Sequence, residues 1–530
     1  MYRYKISLVL VLLFVGVLAC NLPFGAGTDE APVDGAAEST PGEQQPAATE
    51  SESLPESTRE SSTENPSPGD APSSGDVILP DELVYLGAFR LPGESGGSNW
   101  EYSGHALTYF PDGDPDGRDD GFPGSLFGVG HDHQLYVSEI SIPEPVISKN
   151  LEDLNTATTL QPFADITGGA ITEELALPRL GLEYLPAQGQ QTTGKLHFSW
   201  GQHIQDFEPS HGWAELDLSN PQPAGSWVFD GFSNYVTNDY IFEIPAEWAA
   251  ANVGGQLLAS GRAREGLWSG RGPALFAYAP WQDGNPPSDG ETLTSLTPLL
   301  LYGVQEPTIP DLVSDESMAM NGYADADHWL GGAWLGAGDK SALIFVGTKA
   351  LGNEWYGYAN GVEWEYGCDE NNSCPEMPAW PYDDRGFWAE DYQAQIIFYD
   401  PSDLAAVARG EMETWQPQPY ATLPLGEYLL APELDFANYK HDFVIAAAFD
   451  RANGLLFVVE RLADGYKSVI HVFRVSEDES SASADVSTQP SNTSETIDKW
   501  SLWTSAASSA GCRAQPILCA TNWICSSSAA

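Results

Sequence analysis

Between Phe110 and His133 the chain reads "FPDGDPDGRDDGFPGSLFGVGHDH", five aspartates in a glycine-rich turn followed by an apolar run and two histidines that flank a sixth. Asp112, Asp114, Asp116, Gly117 and Asp120 fit the spacing Asp-x-Asp-x-Asp-Gly-x-x-Asp. Calcium takes about 6–8 oxygen ligands at roughly 2.3–2.6 Å, and alternate carboxylates in a tight turn converge on one point while glycine permits the bend. The expected metal ligands are therefore Asp112, Asp114, Asp116 and Asp120, with Ca2+ as the ion. A helical calcium hand is excluded, because Pro123 stands at the twelfth position, where that loop needs a bidentate glutamate. The plainer alternative in so acidic a chain is a solvated hairpin.

Histidines form a second constellation. His105 in "SGHAL", His328 in "DADHWLGGAW" and His441 in "YKHDFVIAAAF" each stand at or just before an apolar strand, and the corresponding neighbourhoods elsewhere hold Glu183 and Arg271. Brought together, such a set could ligate a transition metal or supply a general acid and base. His131 and His133 in "GHDH" alternate onto one face of a strand end, a possible metal pair or a hydrogen-bonded turn. "SGRAREGLWSGRGP" clusters Arg262, Arg264 and Arg271, which form an anion pocket or pair with carboxylates such as Glu265. The segment from Asn353 to Tyr392 concentrates Trp355, Trp364, Trp388 and other aromatics among acids and amides. Those rings either stack on a sugar or form a satellite core closed by a Cys368–Cys374 disulfide. No Ser-His-Asp order, phosphate loop, dinucleotide fingerprint or zinc spacing occurs in its required context, so enzymatic activity stays open.

The elements that must position these residues are strands. From Ser103 the chain reads as strand, turn, strand, turn, strand, because alternating apolar residues are separated by Gly, Pro and Asp clusters. The pattern returns at Arg179 and most cleanly at Val444. "RGPALFAYAPWQDG" from Arg271 and "LGGAWLGAGDKSALIFVGTKA" from Leu330 show its first half. Five such copies predict an all-β chain whose three- or four-stranded units repeat around a ring, which resembles the secreted β-propellers of bacteria. A two-sheet sandwich array is the other solution, but the linkers it needs are missing. The resemblance covers about 77–475 and is architectural. It implies that first strands line a central channel, so His105, Glu183, Arg271, His328 and His441 should point toward one axis; channel mouths are also polar and wet without any chemistry. The aspartate loop falls between the first and second strands of the first unit and resembles the calcium loops of integrin-type propellers.

Flanking segments carry the location signal. Arg3 and Lys5 precede the apolar stretch Ile6 to Ala19, too short to span a bilayer comfortably and of the length of a signal-peptide core. It ends "VLAC", which resembles the lipobox of bacterial lipoproteins and implies a signal peptide over 1–19, acylation of Cys20 and anchoring to a lipid bilayer. Residues 20–76 are rich in Pro, Ser, Thr, Glu and Ala, with Arg59 the one cation among many carboxylates, and are expected to form an extended, disordered tether. Residues 476–530 form a Ser-rich tail without a fold reading. With Cys20 acylated, Cys512, Cys519 and Cys525 leave one thiol unpaired if Cys368 and Cys374 bridge. The net charge of −54, from 22 Lys and Arg against 76 Asp and Glu, repels phosphate backbones and argues against nucleic-acid partners. The expected function is an extracytoplasmic, surface-anchored propeller binding a glycan, peptide or protein. The alternative is a propeller hydrolase or lyase working at the channel.

Overall fold

A computed structural model describes residues 77–476 apart from 116, 118–121, 172–178, 202–208, 233–235, 264–269, 304–315, 365–373 and 433–436. Its strands form five separate sheets. The first holds β2 (Leu107–Phe110), β3 (Ser125–Val129), β4 (Val137–Ser141) and β5 (Thr159–Ala164). The second holds β6 (Leu180–Leu185), β7 (Lys195–Trp200), β8 (His211–Ala214) and β9 (Ala224–Phe229), edged by the short parallel β13 (Thr292–Leu293). β10 (Tyr240–Glu243), β11 (Leu258–Gly261), β12 (Leu275–Tyr278) and β14 (Leu296–Leu300) make the third. The fourth contains β15 (His328–Ala337), the long pair β16 (Lys340–Tyr358) and β17 (Arg385–Tyr399), and β18 (Ala421–Pro424). In the fifth, β19 (Val444–Asp450), β20 (Leu455–Asp464) and β21 (Lys467–Val475) are completed by β1 (Leu83–Arg90), from the opposite end of the domain.

The first strands close a ring. β2 packs on β6, β6 on β10, β10 on β15, β15 on β19, and β19 returns to β2. The chain is thus a five-bladed β-propeller, and β1, paired antiparallel from Leu83↔Val475 to Arg90↔Val469, fastens its last blade. Local sequence explains the cleanest blade. Asn453-Gly454 and Asp464-Gly465 form its two tight turns, with both glycines in the left-handed region at φ 64° and 68°, the conformation that hairpin loops of this kind require.

Strands inside a blade are covered on both faces by neighbouring blades, so they are apolar without alternation: all but the last residue of β20 are buried. Each blade interface has its own core. Phe127 and Val137 meet Leu182 and Phe198 between the first and second blades; Trp213 and Trp227 meet Ile241 and Phe276 between the second and third. Phe242 and Ala259 meet Trp334 and Phe345 next, Leu335 and Ile344 meet Val444 and Leu456, and Phe457 and Val459 meet Leu107 and Leu126 to close the circle. Five blades leave little room at the axis. A Cβ on Gly331 of β15 would lie 2.7 Å from the Ala446 backbone of β19, so glycine is what lets those first strands approach.

One repeat boundary differs from the sequence expectation. The segment after Arg271 is β12, the third strand of its blade and not the first; that blade begins at Tyr240. Its first strand has only four residues, and the helix Ala246–Asn252 separates it from β11, which removes the hairpin pattern that marks the other blades.

Candidate functional site at the axial mouth

The N-terminal ends of the first strands define one mouth of the channel. His105 lies just before β2, Arg179 before β6, Asp239 before β10, His328 opens β15, and His441 and Asp442 precede β19. Three blades share a device there. The acid at the start of the first strand pairs with a cation on, or just past, the second: Arg262 Nε lies 3.6 Å from Asp239, Lys349 Nζ 2.8 Å from Asp327, and Arg461 Nη1 2.9 Å from Asp442. These acids are buried, and a buried carboxylate needs such a partner to stay in place. Arg179 reaches across from the next blade, placing Nη1 3.3 Å from Asp239.

His328 and His441 meet at this mouth. Their rings are 4.2 Å apart, and His328 Nδ1 is 3.2 Å from Asp442 Oδ1. His441 Nε2 is 3.8 Å from the same oxygen, while its Nδ1 is buried without a hydrogen-bond partner. Trp388 packs on His441 at 4.6 Å. Burial, together with His328 and two arginines, pushes the His441 imidazole down to about 3, so it is neutral at ordinary pH. Burial alone would raise the Asp442 carboxyl, but His441, the hydrogen-bonded His328 and Arg461 outweigh it and hold the group well below the usual carboxylate range. His105 belongs to the same field: burial first, then Arg461 and Arg179, keep it well below an ordinary histidine, and its Nε2 has no hydrogen-bond partner.

A cavity of about 640 Å3 opens on this face, lined in part by Tyr102, His131, Asp132, His133, Trp380 and Tyr439. Its inner wall touches the axial cluster through Arg461, which lies 3.7 Å from Asp132 and under the Tyr439 ring at 4.4 Å. His131 Nδ1 is 3.1 Å from Asp132. Burial raises the Asp132 carboxyl despite Arg461 and the two histidines beside it. The volume is within the range of small-molecule sites, roughly 300–1,000 Å3.

Other expected residues lie elsewhere. Glu183 is four residues into the channel from Arg179, roughly 13 Å at a strand's rise. It accepts the Thr108 hydroxyl at 2.9 Å, and burial, reinforced by Glu243, raises its carboxyl well above the usual range. Arg271 stands 4.0 Å from Asp325 and 5.9 Å from the Tyr323 ring. Arg262 is buried against Asp239, and Arg264 lies outside the described residues. Trp355 donates to the Tyr358 carbonyl at 2.9 Å, Arg385 covers Trp364 at 4.3 Å, and Trp388 is buried on His441. The cavity's tryptophan is Trp380 instead. Cys374 is in a disulfide; Cys368, Cys20, Asp116 and Asp120 lie outside the described residues. Asp112 is exposed, and the backbone carbonyl of Asp114, a residue in the left-handed region at φ 30°, accepts the Gly117 N–H at 3.1 Å. That loop follows β2 and so lies toward the opposite face from His105.

Sequence reasoning missed Arg179, Asp239, Asp442 and Arg461. An aspartate opening a first strand, followed by a cation roughly twenty residues on, recurs in three blades and was the available signal. Comparison with known proteins finds no matching family model and no matching curated sequence.

Proposed function

We propose that this chain is an extracytoplasmic lipoprotein, anchored through Cys20, whose propeller captures an extracellular glycan in the cleft at the axial mouth. The observation that carries the reading is the cleft itself. Tyr102, Trp380 and Tyr439 offer ring faces beside the polar side chains of His131, Asp132 and His133, and Trp380 is 59% exposed. Flat aromatic faces beside hydrogen-bonding groups suit a sugar ring, whose axial C–H groups are apolar and whose hydroxyls both donate and accept. The lipid anchor is supported by the "VLAC" sequence, and a calcium ion on Asp112, Asp114, Asp116 and Asp120 would brace the loop of the first blade.

Binding to a panel of extracellular polysaccharides, followed by calorimetry on the best ligand, tests this reading. Trp380→Ala should weaken that ligand at least about tenfold, the loss expected of an aromatic anchor in a cleft, with no change in melting temperature. Equal affinity of the variant and the parent would remove the cleft from the proposal.

A second reading, a propeller hydrolase or lyase, is favoured by the meeting of His328, His441 and Asp442 behind the cleft wall. Turnover of the bound polysaccharide, abolished by His441→Gln, would select it over simple capture.

A further inference from the structure

We propose that His328, His441 and Asp442 form a two-histidine, one-carboxylate site for a divalent transition-metal ion at the axial mouth. This inference does not depend on the glycan reading. One donor atom from each residue lies within 4.8 Å of the others. A tetrahedral ion with bonds of about 2.1 Å sets its donors roughly 3.4 Å apart. Two separations bracket that value already: 3.2 Å from His328 Nδ1 to Asp442 Oδ1, and 3.8 Å from His441 Nε2 to the same oxygen. The remaining pair of donors, one on each imidazole, lies within 4.8 Å.

Two further observations point to a ligand. At 3.8 Å from Asp442 Oδ1, His441 Nε2 is too far for a hydrogen bond to that oxygen, and its Nδ1 is buried without a hydrogen-bond partner. The buried Nδ1 loses its hydration and gains no hydrogen bond in return; an ion held at Nδ1 would remove that deficit, whereas one held at Nε2 would leave it. The carboxylate is also oriented for the task. Arg461 holds Asp442 Oδ2 at 2.9 Å, which turns Oδ1 toward the histidines, the kind of outer hydrogen bond that fixes a metal ligand. Trp388 and Tyr392 confine the His441 ring from the other side.

Two imidazoles and one carboxylate favour zinc, iron, nickel or copper over calcium or magnesium, which prefer oxygen. With three protein ligands, a fourth position is left for water or substrate. That is the arrangement of a reactive centre and not of a closed structural one.

The test is a titration of the purified full chain, stripped with chelator, using zinc followed by calorimetry and cobalt followed by its visible absorption. One equivalent should bind, and His328→Ala and His441→Gln should each weaken it at least about tenfold. Arg461→Met should weaken it about 10–100-fold without removing a ligand, the effect of losing an orienting partner. Calcium should not compete. X-ray absorption on the zinc-loaded parent should show scattering from two imidazoles, a readout that holds even if a variant fails to fold. Less than a stoichiometric amount of bound metal, zinc coordinated without imidazole, or unchanged affinity in folded His328→Ala and His441→Gln proteins would each overturn the proposal.

Discussion

At the scale of single residues, burial decides which histidines carry charge. His197 is enclosed by Trp213 and Trp281, and its Nε2 lies 2.9 Å from Gln191 Oε1. Burial, with Lys195 adding to it, depresses its imidazole to about 3. His211 stacks on Phe229 and is depressed to about 3 by burial against the opposing hydrogen bond to the Thr237 carbonyl. An unfolded histidine titrates near about 6.5. Because the folded values are lower, the unfolded chain takes up protons first as pH falls. Stability from neutral burial is therefore complete above about pH 6.5 and lost progressively toward pH 3, at up to about 1.4 kcal/mol per pH unit for each histidine. Urea unfolding across roughly pH 4–7 should show this slope, and His197→Gln should reduce it by one proton. A slope unchanged in that variant would show that His197 is not held neutral.

At the scale of elements, the sheet that closes the ring is held by more than its backbone ladder. In the fifth blade the Tyr85 hydroxyl of β1 lies 3.0 Å from His471 Nδ1 of β21, and His471 Nε2 lies 2.7 Å from Glu460 of β20. Glu460 also accepts the backbone N–H groups of Leu430 and Ala431 at 2.9 and 2.7 Å. Three strands and a loop thus converge on one buried carboxylate. His471→Phe keeps a planar aromatic ring but strips Glu460 of its side-chain partner, and should cost about 3–5 kcal/mol in denaturant unfolding; a loss below about 1 kcal/mol would mean that the ladder alone holds β1. The acid and cation pairs of the third, fourth and fifth blades act in the same way, tying first strand to second around Asp239, Asp327 and Asp442. They also explain why two arginines of this lysine-poor chain are buried: Arg262 and Arg461 are structural partners for acids at the axis.

For the whole molecule, the lipobox reading predicts where the protein resides. Cys20→Ser should release the mature chain into the medium with its melting temperature unchanged, because a serine hydroxyl then stands in place of acyl chains worth about 0.8 kcal/mol per buried methylene. Partition of the variant into detergent to the same extent as the parent would contradict acylation at Cys20.

Much of the architecture was legible because its signals are local. Short apolar runs, the Asn-Gly and Asp-Gly turns and the repetition of a short strand unit fix strands and hairpins within a few dozen residues, and edge strands must then be hidden by closing the ring. The third blade shows the limit of that reasoning: a four-residue first strand followed by a helix carries no hairpin signal, and Arg271 was thereby placed before the first strand of its blade when it precedes the third. The site was legible only in part. His105, His328 and His441 stand out because histidine is rare here, with nine in the chain, and each precedes an apolar strand. What the sequence left open was depth and partnership. Glu183 and Arg179 are four residues apart, yet one lies within the channel and the other at its mouth, since a strand climbs along the axis by roughly 3.3 Å with each residue. Likewise the choice of Trp380 over Trp388 for the cleft, and of Arg461 as the group that turns Asp442 toward two histidines, depends on blades brought together by ring closure. Apolar runs and turn chemistry determined the strands; only ring closure, which sets the fourth, fifth and first blades side by side, determined which side chains face one another.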